Sequence, residues 1–195
     1  MSFFIQNKLL VATNAMTDTR FDHAVIYIAE HNENGATGFV INHPHPNIEF
    51  SDLIDQLMAL PLESSPPQPL SHWGADNVLV MNGGPVEEGR GFLLHGNDYQ
   101  TKDTIILNDQ LRLSNTVESL KAIAFGKGPA DKIFLLGNSG WGTGQLENEL
   151  RGNCWIVLDY HYDLIFNTAP NEIWEKCLLH NGITPSFLYA DMGTA

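Results

Sequence analysis

HAVIYIAEHNENGATGFVIN, residues 23–42, is the stretch whose reading decides the architecture. Two runs rich in β-branched and aromatic residues, His23 to His31 and Ala36 to Asn42, flank Asn32-Glu33-Asn34-Gly35. The Asn-Gly pair suits the positive φ angles of a tight turn, so the segment predicts a β-hairpin. Upstream, Lys8 to Ala12 (KLLVA) reads as a short buried strand. Downstream, His43-Pro44-His45-Pro46 breaks the pattern, and Phe50, Leu53, Ile54 and Leu57 return at helical spacing, which predicts a helix over Ser51 to Ala59. Pro61, Pro66, Pro67 and Pro69 make 61–72 an irregular loop that cannot be a central strand.

Further along, strands are expected at Val78 to Met81 and Phe92 to His95, separated by Asn82-Gly83-Gly84-Pro85. A second hairpin is expected from Thr104 to Leu107 and Leu111 to Leu113. Asn115 with Glu118 three residues on signals a helix start, and Gly126 its end. Then follow a strand at Lys132 to Leu136, a helix at Gly144 to Arg151, and strands at Cys154 to Leu158 and Leu164 to Phe166. A helix opened by Pro170 completes the series. Helices interleave with strands that sit in hairpins. That pattern predicts an α+β protein, a single domain over 1–195 with a mixed sheet flanked by helices in α/β-type layers. The 195 residues, 43% hydrophobic, suffice for one sizeable core.

Charge restricts the partners. Ten Lys and Arg against 23 Asp and Glu give a net charge of −13, and residues 21–89 hold ten acids and no Lys or Arg. Phosphate neutralisation supplies most of the affinity of a nucleic-acid binder, so this chain is expected to bind neither DNA nor an acidic membrane surface directly. No apolar run reaches 18 residues, and Met1 to Asn7 lacks the basic start of a signal peptide, so a cytoplasmic location is expected. Cys154 and Cys177 have no CxxC partner and are expected to stay reduced.

Chemistry concentrates in three glycine-rich segments: 30–42, 82–95 and 137–149. Gly137-Asn138-Ser139-Gly140-Trp141-Gly142-Thr143-Gly144 falls between a strand and a helix, the context of an anion-cradling loop. It lacks the Lys of a phosphate-binding loop and the third glycine of a dinucleotide fingerprint, since Glu147 stands there. Trp141 also occupies the place where a nucleophile elbow around Ser139 needs glycine. On the following helix Gln145 and Glu149 share a face, and Glu147 is spaced to pair with Arg151. Trp141, hinged between glycines, is expected to be buried or nearly so, with Gln145 and Glu149 on its rim. His31 and His95 each end an apolar strand beside a glycine. His43-x-His45 lacks a third metal ligand, and Asp159-x-His161-x-Asp163 would align on one face only if it were a strand. No metal or cofactor is called for.

In order along the chain, LLVAT (9–13), MTD (16–18), EHNENGATGFVINHP (30–44), NGGPVEEGRGFLLH (82–95) and GKGP (126–129) form a distinctive set. LGNSGWGTGQLENEL (136–150), NCW (153–155), LIF (164–166) and Trp174 complete it. Together these resemble the YqgE/AlgH family of bacterial cytoplasmic proteins from about Leu9 to Ile183. Asn14 stands where that family usually has Pro, Asn138-Ser139 where Tyr-Ala is common, and His161 where Asp is common. The resemblance implies a compact α/β arrangement and carries the family's label of transcriptional regulator, without an established reaction. The expectation is therefore a non-enzymatic protein that binds a small ligand or a protein partner. Its candidate binding residues are His31, Asn42, Gly83, Gly84, His95, Trp141, Gln145 and Glu149. The alternative is an enzyme using His31 or His95 as base with Glu30 or Glu149 as acid.

Overall fold

The structure, a computed structural model, describes residues 4–59 and 78–189, so the expected loop at 61–72 lies outside the described residues. Its first half comprises β1 (Lys8–Ala12), β2 (Val25–Asn32), β3 (Gly35–Val40), α1 (Phe50–Ala59), β4 (Val80–Asn82) and β5 (Val86–Gly96). Then come β6 (Ile105–Ile106), β7 (Leu111–Ser114), α2 (Val117–Ala124) and β8 (Lys132–Gly142). The chain closes with α3 (Gln145–Arg151), β9 (Trp155–Asp159), α4 (Tyr162–Phe166), α5 (Pro170–His180) and α6 (Ser186–Tyr189).

The strands form one curled sheet in the order β6-β7-β5-β8-β3-β2-β1-β9, with β4 beside the first half of β8. Its pairings are antiparallel except β4 with β8, so the expected mixed sheet is mixed by one short strand. The hairpin at 23–42 forms as expected, but Asn32 pairs with Gly35 and the turn is Glu33-Asn34. Gly35 instead serves a close approach. Its φ is +136, and a Cβ there would overlap the Trp141 carbonyl oxygen.

Curling gives the sheet one inner face and two outer patches. Inside lie Leu9, Val11, Tyr27, Phe39, Leu94, Leu113 and Leu135, plugged by Ile173, Cys177 and Leu178 of α5. The two edges of the sheet approach each other at Asn108, whose amide nitrogen donates to Tyr27 Oη at 3.0 Å while its oxygen accepts from Tyr160 Oη at 3.1 Å. One outer patch packs Leu10, Ile26, Ile28, Ala36, Trp141 and Trp155 under Leu146 of α3. The other packs Val80, Leu93 and Phe134 under α1 and α2. Thr116, one residue past the expected Asn115, caps α2 by accepting from Ser119 N. Leu164 to Phe166, expected as a strand, lies in α4, because three apolar residues carry no periodicity of their own.

The larger correction concerns the glycine cluster at 137–144. It is not a loop: β8 runs on through Gly142. Along Phe134 to Leu136 it pairs with β4 on one edge and β5 on the other. From Ser139 to Gly142 it pairs with β3 instead, from Gly38 back to Gly35. The chain from β4 to β5 must therefore pass over β8, two strand spacings or about 9–10 Å, and only Gly83, Gly84 and Pro85 do so. Backbone meets backbone at this crossing. A Cβ on Gly83 would overlap the Gly137 carbonyl oxygen, one on Gly84 the Asn138 carbonyl, and one on Gly137 the Gly84 carbonyl oxygen. Gly84 (φ +144) and Gly137 (φ +72) also occupy angles that side chains disfavour. Gly83 N donates to Leu136 O at 2.7 Å and Gly83 O accepts from Val40 N at 2.9 Å, so the crossing is tied to both halves of the sheet.

Gly84→Ala is expected to cost about 3 kcal/mol or more in denaturant unfolding, from strain plus backbone overlap. Gly89→Ala, where a Cβ meets nothing within 4 Å, is expected to change stability by less than about 0.5 kcal/mol. Equal small effects at both positions would contradict the crossing.

Candidate functional site

Because β8 extends to Gly142, Trp141 pairs with Ala36 and lays its ring on the outer patch beside Trp155, leaving 7% of it exposed. The turn Thr143-Gly144, with Gly144 at φ +73, then starts α3 directly over these rings. Leu146 points inward while Gln145 and Glu149 face Trp141. Glu149 Oε2 accepts from Trp141 Nε1 at 2.8 Å and from Trp155 Nε1 at 2.7 Å. Glu149 Oε1 accepts from Gln145 Nε2 at 3.0 Å, and Gln145 Oε1 accepts from Gly142 N at 3.2 Å. One carboxylate thus collects three N–H donors and pins the helix to two indoles.

His31 fastens the same helix from its other side. Its Nδ1 accepts from Ile5 N at 3.1 Å, so the proton resides on Nε2, which donates to Glu147 Oε1 at 3.1 Å. Glu147 therefore serves His31 rather than the Arg151 guanidinium. Arg151 Nε donates to the Glu147 carbonyl instead.

Beside the Trp141–Glu149 cluster lies a cleft of ≈ 230 Å³. Pro85, Ser139, Trp141 and Glu149 form one wall, Met16, Asp18 and Phe21 the other, and Cys154 also lines it. Arg20 grips Asp18 through two nitrogens, Nε to Oδ1 at 3.0 Å and Nη2 to Oδ2 at 2.6 Å. Those hydrogen bonds hold the Asp18 carboxyl below its usual range.

The remaining predicted residues go elsewhere. Gly83 and Gly84 form the crossing that carries Pro85 to the cleft. Asn42 is a buried clip, its Oδ1 accepting from Val25 N at 2.7 Å and its Nδ2 donating to His23 O at 2.8 Å. His95 pairs with Lys132, nine residues along β8 from Trp141, and is wholly buried. Its Nδ1 lies 2.7 Å from Gly96 O and its Nε2 3.0 Å from Ser114 Oγ. Burial holds its imidazole below the usual range. Glu30 is exposed and accepts from Asn32 Nδ2 at 2.6 Å. The partners the fold gives the two histidines are thus Glu147 and Ser114, not Glu30 or Glu149. Asp159 ends β9 and His161 precedes α4, so Asp159, His161 and Asp163 do not share a strand face. Among the described residues no three metal-ligating side chains cluster.

Trp155, Glu147 and the 16–21 segment are not among the site residues that the sequence predicts. Trp155 carried a signal, an indole one residue after Cys154 at the start of an apolar run. The 16–21 segment, apart from its MTD motif, carries nothing that places it at the cleft, because its position beside β8 depends on the whole sheet.

A family model described as AlgH-like matches residues 9–186. A UPF0301 protein of Rhodopseudomonas palustris is 40% identical over 193 residues, covering 98% of this chain and 87% of its own length. One of Rhodospirillum rubrum is 40% identical over 192 residues, covering 98% and 95%. The solution structure of the AlgH protein from Pseudomonas aeruginosa superposes with a TM-score of 0.76 at 33% identity, covering all of this chain and 98% of that one. A crystal structure of a Corynebacterium diphtheriae protein shares the fold at 15% identity, with a TM-score of 0.72 and coverage of 96% and 92%.

Trp141→Ala is expected to cost about 3–5 kcal/mol as a large buried ring is lost. Glu149→Ala is expected to cost about 2–4 kcal/mol, because it strands two indole N–H groups away from water. Denaturant titration checks both, and a loss below about 1 kcal/mol in either would mean the cluster does not anchor α3.

Proposed function

The chain belongs to the AlgH-like family, and from that premise we propose that it works by binding, with the cleft beside Trp141 as its ligand site. The observation that carries this reading is the state of the wall. Glu149, Gln145 and both indole N–H groups satisfy one another, so the wall is rigid without a ligand and holds no activated nucleophile–base pair. At ≈ 230 Å³ the cleft suits a small metabolite rather than a peptide. Phe21, Met16 and Pro85 offer apolar contact, and the Asp18–Arg20 pair offers polar contact at one side.

A regulatory effect, as the family label suggests, would then pass through ligand occupancy to a protein partner in the cytoplasm. Direct contact with DNA is the less supported route, since residues 21–89 carry no Lys or Arg and the chain's net charge is −13. Among the described residues no helix is long and apolar enough to cross a membrane.

Thermal-shift screening of cellular metabolites, followed by tryptophan fluorescence titration, tests the reading. A ligand is expected to raise the melting temperature, perturb indole emission, and bind Phe21→Ala about tenfold or more weakly than wild type. Ligands that bind wild type and Phe21→Ala equally well would place the site elsewhere.

A further inference from the structure

We propose that Ser114 and His95 form a second, separate site, a serine–histidine pair for acyl transfer that opens onto the apolar pocket between α1 and α2. This goes beyond the binding reading and does not rest on it: the pair lies on the other outer patch of the sheet, so either reading survives failure of the other.

The geometry of the pair is complete. Leu93 faces Ser114 across β5 and β7, and His95 lies two residues beyond Leu93 on the same face. His95 Nδ1 is 2.7 Å from the Gly96 carbonyl oxygen, which only accepts, so Nδ1 carries the proton. The Nε2 lone pair is therefore turned to Ser114 Oγ at 3.0 Å and accepts its hydrogen. Gly96 O plays the orienting part that a carboxylate plays in a triad. On the far side of Ser114 Oγ, Thr104 Oγ1 lies at 2.9 Å; it accepts from Thr101 N at 2.9 Å and lies 3.1 Å from Thr101 Oγ1. This contact holds the Ser114 hydroxyl in place beside His95. One lone pair of Oγ remains for attack. Burial keeps the His95 imidazole in the neutral form that a base requires.

The surroundings indicate the substrate class. Ser114 ends β7 and lines a pocket of ≈ 380 Å³ whose other walls include Leu53, Leu93, Leu120, Phe134 and Leu136. Such a lining suits a short aliphatic acyl chain. α2 begins three residues after Ser114, and the N–H groups of Val117 and Glu118 at its start have no acceptor within the helix and offer donors to an oxyanion.

The step is acyl transfer from an ester or thioester. Ser114 Oγ bonds to the acyl carbon as its proton passes to His95 Nε2, and His95 returns that proton to the leaving alcohol or thiol. Water then attacks the acyl-serine and gives a proton to His95. The carboxylic acid leaves, and Ser114 recovers its hydrogen from His95.

The test uses the full chain and an alkyl fluorophosphonate, read by intact-mass and peptide mass spectrometry, with p-nitrophenyl butyrate as turnover substrate. Expected are one adduct per chain on Ser114, none in Ser114→Ala, and ester turnover at least about a hundredfold lower in His95→Gln. Thr104→Val keeps the pair but removes the hydroxyl that holds Oγ in place, so slower labelling at Ser114 in that folded variant supports the proposal even where His95→Gln does not fold. No adduct on the wild-type chain, an adduct at another residue, or labelling as fast in Thr104→Val as in wild type overturns it.

Discussion

Two backbones can cross in contact only where no Cβ stands between them, and that constraint organises this fold where Gly83 and Gly84 pass over Gly137 and Asn138. β4 occupies one edge of β8 and β5 the other, with three residues between them. The crossing ends the pairing with β4 and frees the same edge of β8 for β3. A single strand can then belong to both halves of the sheet. Without the crossing, β8 would have no reason to change partner at Gly137, and the two outer patches would have no common spine.

From that spine the candidate site follows. The second half of β8 carries Trp141 onto the outer face, and the turn at Gly144 returns α3 over it. Glu149 stabilises the helix by collecting N–H donors rather than by pairing with a cation, which suits a chain so poor in bases. His31 and Glu147 complete the attachment and tie it to Ile5 near the start of the chain. Pro85, delivered by the crossing itself, closes one wall of the cleft. The first half of β8 serves the opposite end, where Phe134 and Leu136 floor the pocket reached by Ser114.

How much of this was legible in the sequence depended on the range of each interaction. The 23–42 hairpin was readable because alternation and a tight turn are local. The helices at α1, α2, α3 and α5 were readable from spacing and their bounding residues, with the α2 cap displaced by one position to Thr116. The glycine cluster at 137–144 has the pattern of a loop, yet lies mostly in β8, because its glycines answer a distant segment, 83–85, that no window around them contains. Trp141 was placed correctly in the core, since a large ring between glycines in a soluble chain has few other places to go. The partners of His31, His95 and Glu147 were not readable. Each is fixed by which strands lie side by side, and side-chain identity at strand ends carries no address. The Asn108 contacts to Tyr27 and Tyr160 were equally hidden, because they exist only once the sheet curls.

Residue-resolved amide hydrogen exchange tests the central claim most directly. If the crossing is the spine of the sheet, the Gly83 and Val40 N–H groups, bonded to Leu136 O and Gly83 O, exchange only through global unfolding, as slowly as core amides such as Leu135. Exchange of Gly83 and Val40 at the rates of exposed loops, while Leu135 stays protected, would show that the crossing opens freely and contradict the account.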